Sequence, residues 1–181
     1  MIMSRIQVLD KTFEIFLESD AIQRRVKEMA QQISADCAGT RPLFLSILNG
    51  SFLFTADLVR HLTIEPEISF IKLASYKGMR STGSFTTAIG LDVDLLDREV
   101  ILVEDIVDTG NTLFQFLPHL LQQQPRSVRI ATLLHKPEAT RHPLTLDYVG
   151  FSIPNKFVVG YGLDYDGWGR QHGSIYQLAA E

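Results

Sequence analysis

One run constrains the fold of this chain more than any other: Val100-Ile101-Leu102-Val103-Glu104-Asp105-Ile106-Val107-Asp108-Thr109-Gly110-Asn111-Thr112. Its four leading apolar residues predict a buried strand, and Leu113-Phe114-Gln115-Phe116-Leu117 predicts the start of a helix. A strand, a tight polar loop and a helix form the unit with which open α/β sheets bind phosphate. Backbone N–H groups and the positive end of the helix dipole both face the anion. Here three carboxylates, Glu104, Asp105 and Asp108, crowd that anion site. Beside a phosphate they repel unless they hold a magnesium ion, grip sugar hydroxyls or move a proton. The segment therefore predicts a sugar phosphate whose hydroxyls and metal are held by acids.

The flanking pattern extends this unit into a fold. Strands are expected over 13–17, 43–48, 67–74, 85–89, 127–134, 146–151 and 157–160. A helix is expected over about 20–36, capped by Ser19 or Asp20, with Ile22, Val26, Met29, Ala30 and Ile33 on one face at helical spacing. A second helix is expected from Ser51 to about Leu62. Pro118 conflicts with a straight helix after Thr112 and predicts a kink or a late start. Strands alternating with helices predict an α/β fold, a central, mostly parallel sheet flanked by helices. Ligands of such sheets bind at the carboxyl ends of the strands, at the switch point, and the strand-rich C-terminal third is expected to fold back over that edge.

Composition narrows the class. A chain of 181 residues, 45% hydrophobic and 21% charged, is expected to be one globular domain with a substantial core. A single cysteine, Cys37, allows no internal disulfide, and no window suits a membrane span or signal peptide, so a cytoplasmic protein is expected. The net charge is −4 and there is no long run of Lys and Arg, which weighs against nucleic acid as a partner. An anionic substrate would have to be held by backbone amides, magnesium and a few cations.

The segment Glu104 to Thr112 resembles the phosphoribosyl-pyrophosphate motif of type I phosphoribosyltransferases. Further segments are Leu48-Asn49-Gly50-Ser51, Ser75-Tyr76 with Ser81-Thr82-Gly83, Leu133-Leu134-His135-Lys136, and Phe157-Val158-Val159-Gly160-Tyr161-Gly162-Leu163-Asp164-Tyr165. In this order and spacing they resemble the hypoxanthine-guanine branch of that family, over roughly Phe13 to Arg170. The resemblance implies a single domain over 1–181, with a small hood formed by the N-terminal segment and about 137–181. It implies magnesium-dependent transfer of phosphoribosyl from phosphoribosyl pyrophosphate to hypoxanthine, and to guanine, giving IMP or GMP and pyrophosphate. It also implies a homo-oligomer, dimer or tetramer.

Residue by residue, the resemblance makes Glu104 and Asp105 ligands of the ribose hydroxyls and of magnesium, where a solvated acidic turn is the plain alternative. Asp108 matches the general base for purine N7; capping the next helix is its other reading. Thr109, Gly110, Asn111 and Thr112 match the cradle of the 5′-phosphate. Asn49 and Gly50 match the pyrophosphate loop, with Asn49 standing where many members carry a basic residue, and the resemblance implies a cis Leu48–Asn49 peptide. Lys136 matches the donor to the purine exocyclic oxygen, against a solvated strand-end lysine, and His135 is expected to be structural. Phe157 and Val158 match the stacking aromatic and the edge-reading backbone, against a plain core strand. Asp164 matches a carboxylate near the base that helps hold a second magnesium, and Arg170 a pyrophosphate contact. Ser75 and Tyr76 open a lid that closes over the site. Rival readings are a metabolite-sensing relative that binds RNA or DNA, and a transferase for xanthine or a pyrimidine.

Overall fold

The structure, a computed structural model, describes residues 4–74, 86–89 and 91–180. Along the chain lie β1 Arg5–Val8, β2 Lys11–Leu17, α1 Ser19–Asp36, β3 Leu43–Leu48, α2 Phe52–Arg60, β4 Glu67–Ala74 and β5 Thr86–Ile89. They are followed by β6 Glu99–Val107, α3 Asn111–Leu121, β7 Ser127–His135, β8 Tyr148–Ser152, β9 Val158–Val159 and β10 Ile175–Leu178.

A six-stranded sheet runs in the order β5-β4-β3-β6-β7-β8. From β4 to β8 all neighbours are parallel, and only β5 pairs antiparallel, on the outer edge of β4. The expected class holds: a mostly parallel sheet covered by helices. The strands are apolar on both faces because both are covered. On one face Phe44, Ile101, Val103, Ala131 and Leu133 meet Ile22, Val26 and Met29 of α1 and Phe54 and Leu58 of α2. On the other, Leu43, Leu45, Val100, Leu102 and Ile130 meet Leu113, Phe116 and Leu120 of α3. Phe116 is 2% exposed, and cutting such a side chain back to alanine costs about 3–5 kcal/mol.

Helix α1 buries the face its spacing announces: Ile22, Val26, Met29, Ala30 and Ile33 are all 0% exposed. Its start differs from expectation. Glu18 is the cap residue and makes no side-chain cap; neither Ser19 nor Asp20 caps. Instead the Ser19 amide donates to Ser174 Oγ at 3.0 Å, so a residue 155 positions away takes the orphan donor. Helix α3 starts at Asn111 and continues past Pro118, so the start is not late. Phe114, whose carbonyl loses its amide partner there, is exposed, as is Pro118, so that carbonyl can be solvated.

A second sheet, in the order β1-β2-β10-β9, is wholly antiparallel and joins the two chain ends. Strands β1 and β10 were not anticipated, and β9 is shorter than expected, so Phe157 stands before it and Gly160 after it. Strand β8 starts at Tyr148, two residues later than expected. Among the described residues no helix is long and apolar enough to cross a membrane.

Between β3 and β6 the chain changes direction across the sheet: β4 lies on one side of β3, and β6 to β8 on the other. That is the switch point, where loops after neighbouring strands diverge and leave a crevice. The loop after β3 carries Asn49-Gly50-Ser51, and the loop after β6 carries Asp108 to Gly110.

Candidate active site

A cleft of about 300 Å³ opens at the switch point, lined by Ile47, Leu73 and the whole stretch from Glu104 to Leu113. Glu104 and Asp105 do not follow the strand, as expected; they lie within β6, which continues to Val107. The reason is ladder pairing with β7, which carries on past the apolar run through Glu104↔Thr132, Ile106↔Leu134 and Val107↔His135. The carboxylates are thereby drawn into the sheet, and Glu104 is only 8% exposed. Burial, then the adjacent Asp105 charge, pushes the Glu104 carboxyl well above the usual carboxylate range. Burial also raises Asp105, opposed by hydrogen bonds and by the charge of Arg170. Asp105 Oδ1 accepts the Ile106 amide at 2.9 Å.

Glu104 is buried and Asp105 half-buried, and both carboxyls are raised. Their hard oxygen donors suit magnesium, which takes one or two carboxylates and completes its shell with substrate oxygens and water. Asp164 does not join the pair. Its Oδ1 lies 2.7 Å from Arg170 Nη2 and its Oδ2 accepts the Gly167 amide at 2.6 Å. Arg170 Nη1 also donates to the Gly162 carbonyl at 2.7 Å. Arg170 thus ties the hairpin after β9 together while its charge acts on Asp105.

Gly50 sits at the junction of these parts. A Cβ there would fall on the Asp105 carboxylate, and a Cβ on Gly162 would fall on the Gly50 carbonyl. The space beside Gly50 is therefore taken by Asp105. The Leu48–Asn49 peptide is cis, as the resemblance implies.

The turn from Asp108 to Asn111 leads directly from β6 into α3. Gly110 is the cap residue of α3 at φ 78°, a left-handed conformation that glycine adopts without a steric penalty. Thr109 Oγ1 accepts the Asn111 amide at 3.4 Å, and the helix begins at Asn111. The segment after β7 packs against this loop: Arg141 N–H donates to the Thr109 carbonyl at 3.0 Å, and Thr140 Oγ1 lies 2.9 Å from the Asp108 carbonyl. Asp108 is not the helix cap. Its Oδ2 lies 2.6 Å from Lys136 Nζ. The Lys136 side chain is 6% exposed and that of Asp108 45%, so a buried ammonium points at a carboxylate open to the cleft. The Lys136 amide also donates to the Val107 carbonyl at 2.9 Å, which fixes the strand ends together. His135 Nε2 lies 3.1 Å from Thr140 Oγ1, and burial lowers its pKa.

Phe157 is 46% exposed and lies beside Phe13, tilted, at 6.1 Å and Tyr165, T-shaped, at 5.9 Å between ring centroids. Val158 is buried in β9. Ser75 and Tyr76 lie outside the described residues. Thr140 and Tyr165, which brace Asp108 and Phe157, were not singled out from sequence. A threonine four residues past a strand-end lysine carries no local signal of such a role.

A glycine-capped turn at a switch point, the Glu104–Asp105 acid pair beside it and a lysine-paired aspartate thus meet at the carboxyl ends of the strands. A family model described as the phosphoribosyl transferase domain matches residues 13–166. The hypoxanthine-guanine phosphoribosyltransferase of Aquifex aeolicus is 36% identical over 174 residues, 95% of this chain and 98% of that protein. The hypoxanthine phosphoribosyltransferase of Buchnera aphidicola subsp. Schizaphis graminum is 40% identical over 157 residues, 85% of this chain and 89% of that one. A crystal structure of a hypoxanthine-guanine phosphoribosyltransferase from Bacillus anthracis, with HEPES in its active site, superposes with a TM-score of 0.86 at 37% identity, covering 92% of this chain and 98% of that one. The chain belongs to the phosphoribosyltransferase family and is a transferase.

Proposed function

We propose that this enzyme transfers the phosphoribosyl group of phosphoribosyl pyrophosphate to a 6-oxopurine in purine salvage, converting hypoxanthine to IMP and guanine to GMP with release of pyrophosphate. The observation that carries the reading is the Lys136–Asp108 pair at 2.6 Å, at the lip of the phosphate loop. An ammonium donor and a carboxylate acceptor side by side match the purine edge that carries O6 and N7. In this reading Lys136 donates to O6 while Asp108 takes the N7 proton. Adenine offers an amino group at position 6, which leaves the ammonium without an acceptor, and a buried polar group left unpaired discriminates strongly. Phe157 stacks on the ring and the Val158 backbone meets its edge; stacking contributes about 1–3 kcal/mol and little discrimination.

Thr109, Gly110, Asn111 and Thr112 hold the 5′-phosphate at the start of α3. Asn49, Gly50 and Arg170 receive the leaving pyrophosphate. Purine N9 attacks the anomeric carbon as the bond to pyrophosphate breaks, and the positive charge that builds on the ribose lies beside Glu104 and Asp105, which grip its hydroxyls. Glu104 and Asp105 would hold magnesium, with Asp164 serving a second ion once released from Arg170. When bound, magnesium neutralises the pyrophosphate oxygens and so favours its departure.

The whole chain, 1–181, acts in this reading as one domain, with the antiparallel sheet and the segment from about 137 onward as a hood over the base. Ser75 and Tyr76 belong to a lid that keeps water off the ribose cation. The enzyme works in the cytoplasm as a homo-oligomer, without nucleic acid or membrane partners. The test is pyrophosphate release with magnesium, phosphoribosyl pyrophosphate and each of hypoxanthine, guanine, xanthine, adenine and uracil. Turnover confined to hypoxanthine and guanine is expected. Turnover with adenine or uracil and none with hypoxanthine would overturn the reading.

A further inference from the structure

Three hydroxyls are buried beneath the loop that follows β3. Ser46 and Ser51 are 0% exposed and Thr55 is 1% exposed. Ser46 interrupts an otherwise apolar strand, Leu-Phe-Leu-Ser-Ile-Leu, and its Oγ lies 2.6 Å from Ser51 Oγ. It also contacts Thr55 Oγ1, one turn into α2. The Ser51 hydroxyl donates to the Ile47 carbonyl. Each hydroxyl has a single proton to give, so these contacts have only one consistent direction. The proton of Ser51 is used on Ile47, so Ser46 donates to Ser51. The proton of Ser46 is then used, so Thr55 donates to Ser46. The result is a one-way chain: Thr55 to Ser46 to Ser51 to the Ile47 carbonyl. Aligned hydroxyls of this kind polarise one another and hold their partners in one arrangement. The Thr55 amide adds a further tie, donating to the Ser51 carbonyl at 2.8 Å.

The chain links β3, the loop and α2, and it ends within the segment that turns into Asn49-Gly50-Ser51. We infer that Ser46 and Thr55 are positioning residues for the pyrophosphate loop, setting from below where its backbone amides point. This inference rests on the transferase reading above. Asn49 carries no charge, so capture of the leaving group here depends on amide direction, and a loop held by three buried hydroxyls keeps that direction fixed. Neither Ser46 nor Thr55 reaches the cleft, whose lining includes Ile47 but not these two.

The experiment is the reverse reaction, pyrophosphorolysis of IMP, with melting temperatures recorded for each variant. Ser46→Ala breaks the chain at its centre. Thr55→Val removes its first donor and keeps the shape, and Thr55→Ser keeps the donor. We expect Ser46→Ala and Thr55→Val to raise the KM for pyrophosphate by about 3–10-fold, the scale of one or two hydrogen bonds. The KM for IMP should stay within about twofold, and Thr55→Ser should behave as wild type on the same scale. If Ser46→Ala does not fold, Thr55→Val against Thr55→Ser decides by the same criteria. An unchanged pyrophosphate KM with a lowered melting temperature would overturn the inference and leave the hydroxyls as core packing. So would an equal rise in both KM values. Absence of pyrophosphorolysis in the wild-type enzyme would overturn the transferase reading itself.

Discussion

Lys136 Nζ lies 2.6 Å from Asp108 Oδ2, joining the ends of β6 and β7 across 28 residues of sequence. The ammonium is buried and the carboxylate is open to the cleft, so the pair presents one donor and one acceptor to whatever enters. A lysine this enclosed is retained where its charge has a partner, because an unpaired buried ammonium is strongly destabilising.

Lys136→Ala should therefore hurt use of the base more than binding of phosphoribosyl pyrophosphate. Loss of a charge-assisted hydrogen bond to O6 predicts a fall in kcat/KM for hypoxanthine and guanine of about 10–150-fold. The Kd for phosphoribosyl pyrophosphate, measured by calorimetry, should change by less than about threefold. Equal losses for both substrates would assign Lys136 to the scaffold.

Glu104 makes stability depend on pH with a definite sign. Burial and Asp105 raise its carboxyl well above the usual range, so the folded protein keeps a proton that the unfolded chain, with a pKa of about 4.3, has released. Stability therefore falls as pH rises from that unfolded value through the folded pKa, and returns on acidification. Glu104→Gln should flatten this slope and raise the melting temperature of the ligand-free protein at pH 8 by about 2–5 °C. The same variant should bind magnesium and phosphoribosyl pyrophosphate less tightly. An unchanged pH slope would mean that Glu104 already holds its charge in the free enzyme.

Gly50→Ala tests the contact between the loop after β3 and Asp105 of strand β6. The new Cβ falls on the Asp105 carboxylate, so the loop or that side chain must shift. A stability loss of about 1–3 kcal/mol is expected, with a rise in the KM for phosphoribosyl pyrophosphate of at least about tenfold. Wild-type kinetics in this variant would show that the loop after β3 and Asp105 act independently.

Much of this was legible from local pattern. Strands β3 and β4 match their expected bounds at both ends: β3 is a dense apolar run closed by turn residues, and β4 is a mixed run rich in Ile, Phe and Leu that gives way to polar sequence. Other features depend on partners far along the chain. Strand β10 is four residues long and owes its form to pairing with β2 and β9. The extension of β6 through Glu104 and Asp105 owes its form to the ladder with β7, whereas two adjacent acids read locally as a strand end. The acid cluster and Lys136 were visible as candidates, but their grouping was not. That Asp108 faces Lys136, and that Asp164 faces Arg170 away from the Glu104–Asp105 pair, follows from loops meeting at the switch point. Ser46 was not singled out from sequence, since nothing local pairs it with Ser51 and Thr55.

Asp108→Asn tests the central claim most directly. The amide keeps a hydrogen-bond acceptor for Lys136 and nearly the same shape, so the site should still bind phosphoribosyl pyrophosphate, but it cannot take the purine proton. Single-turnover formation of IMP from bound phosphoribosyl pyrophosphate and hypoxanthine should be slower than in the wild-type enzyme by about 10²–10⁴-fold, with the Kd for phosphoribosyl pyrophosphate little changed. A single-turnover rate within about twofold of wild type would contradict the assignment of Asp108 as the general base, and with it the account of how this site works.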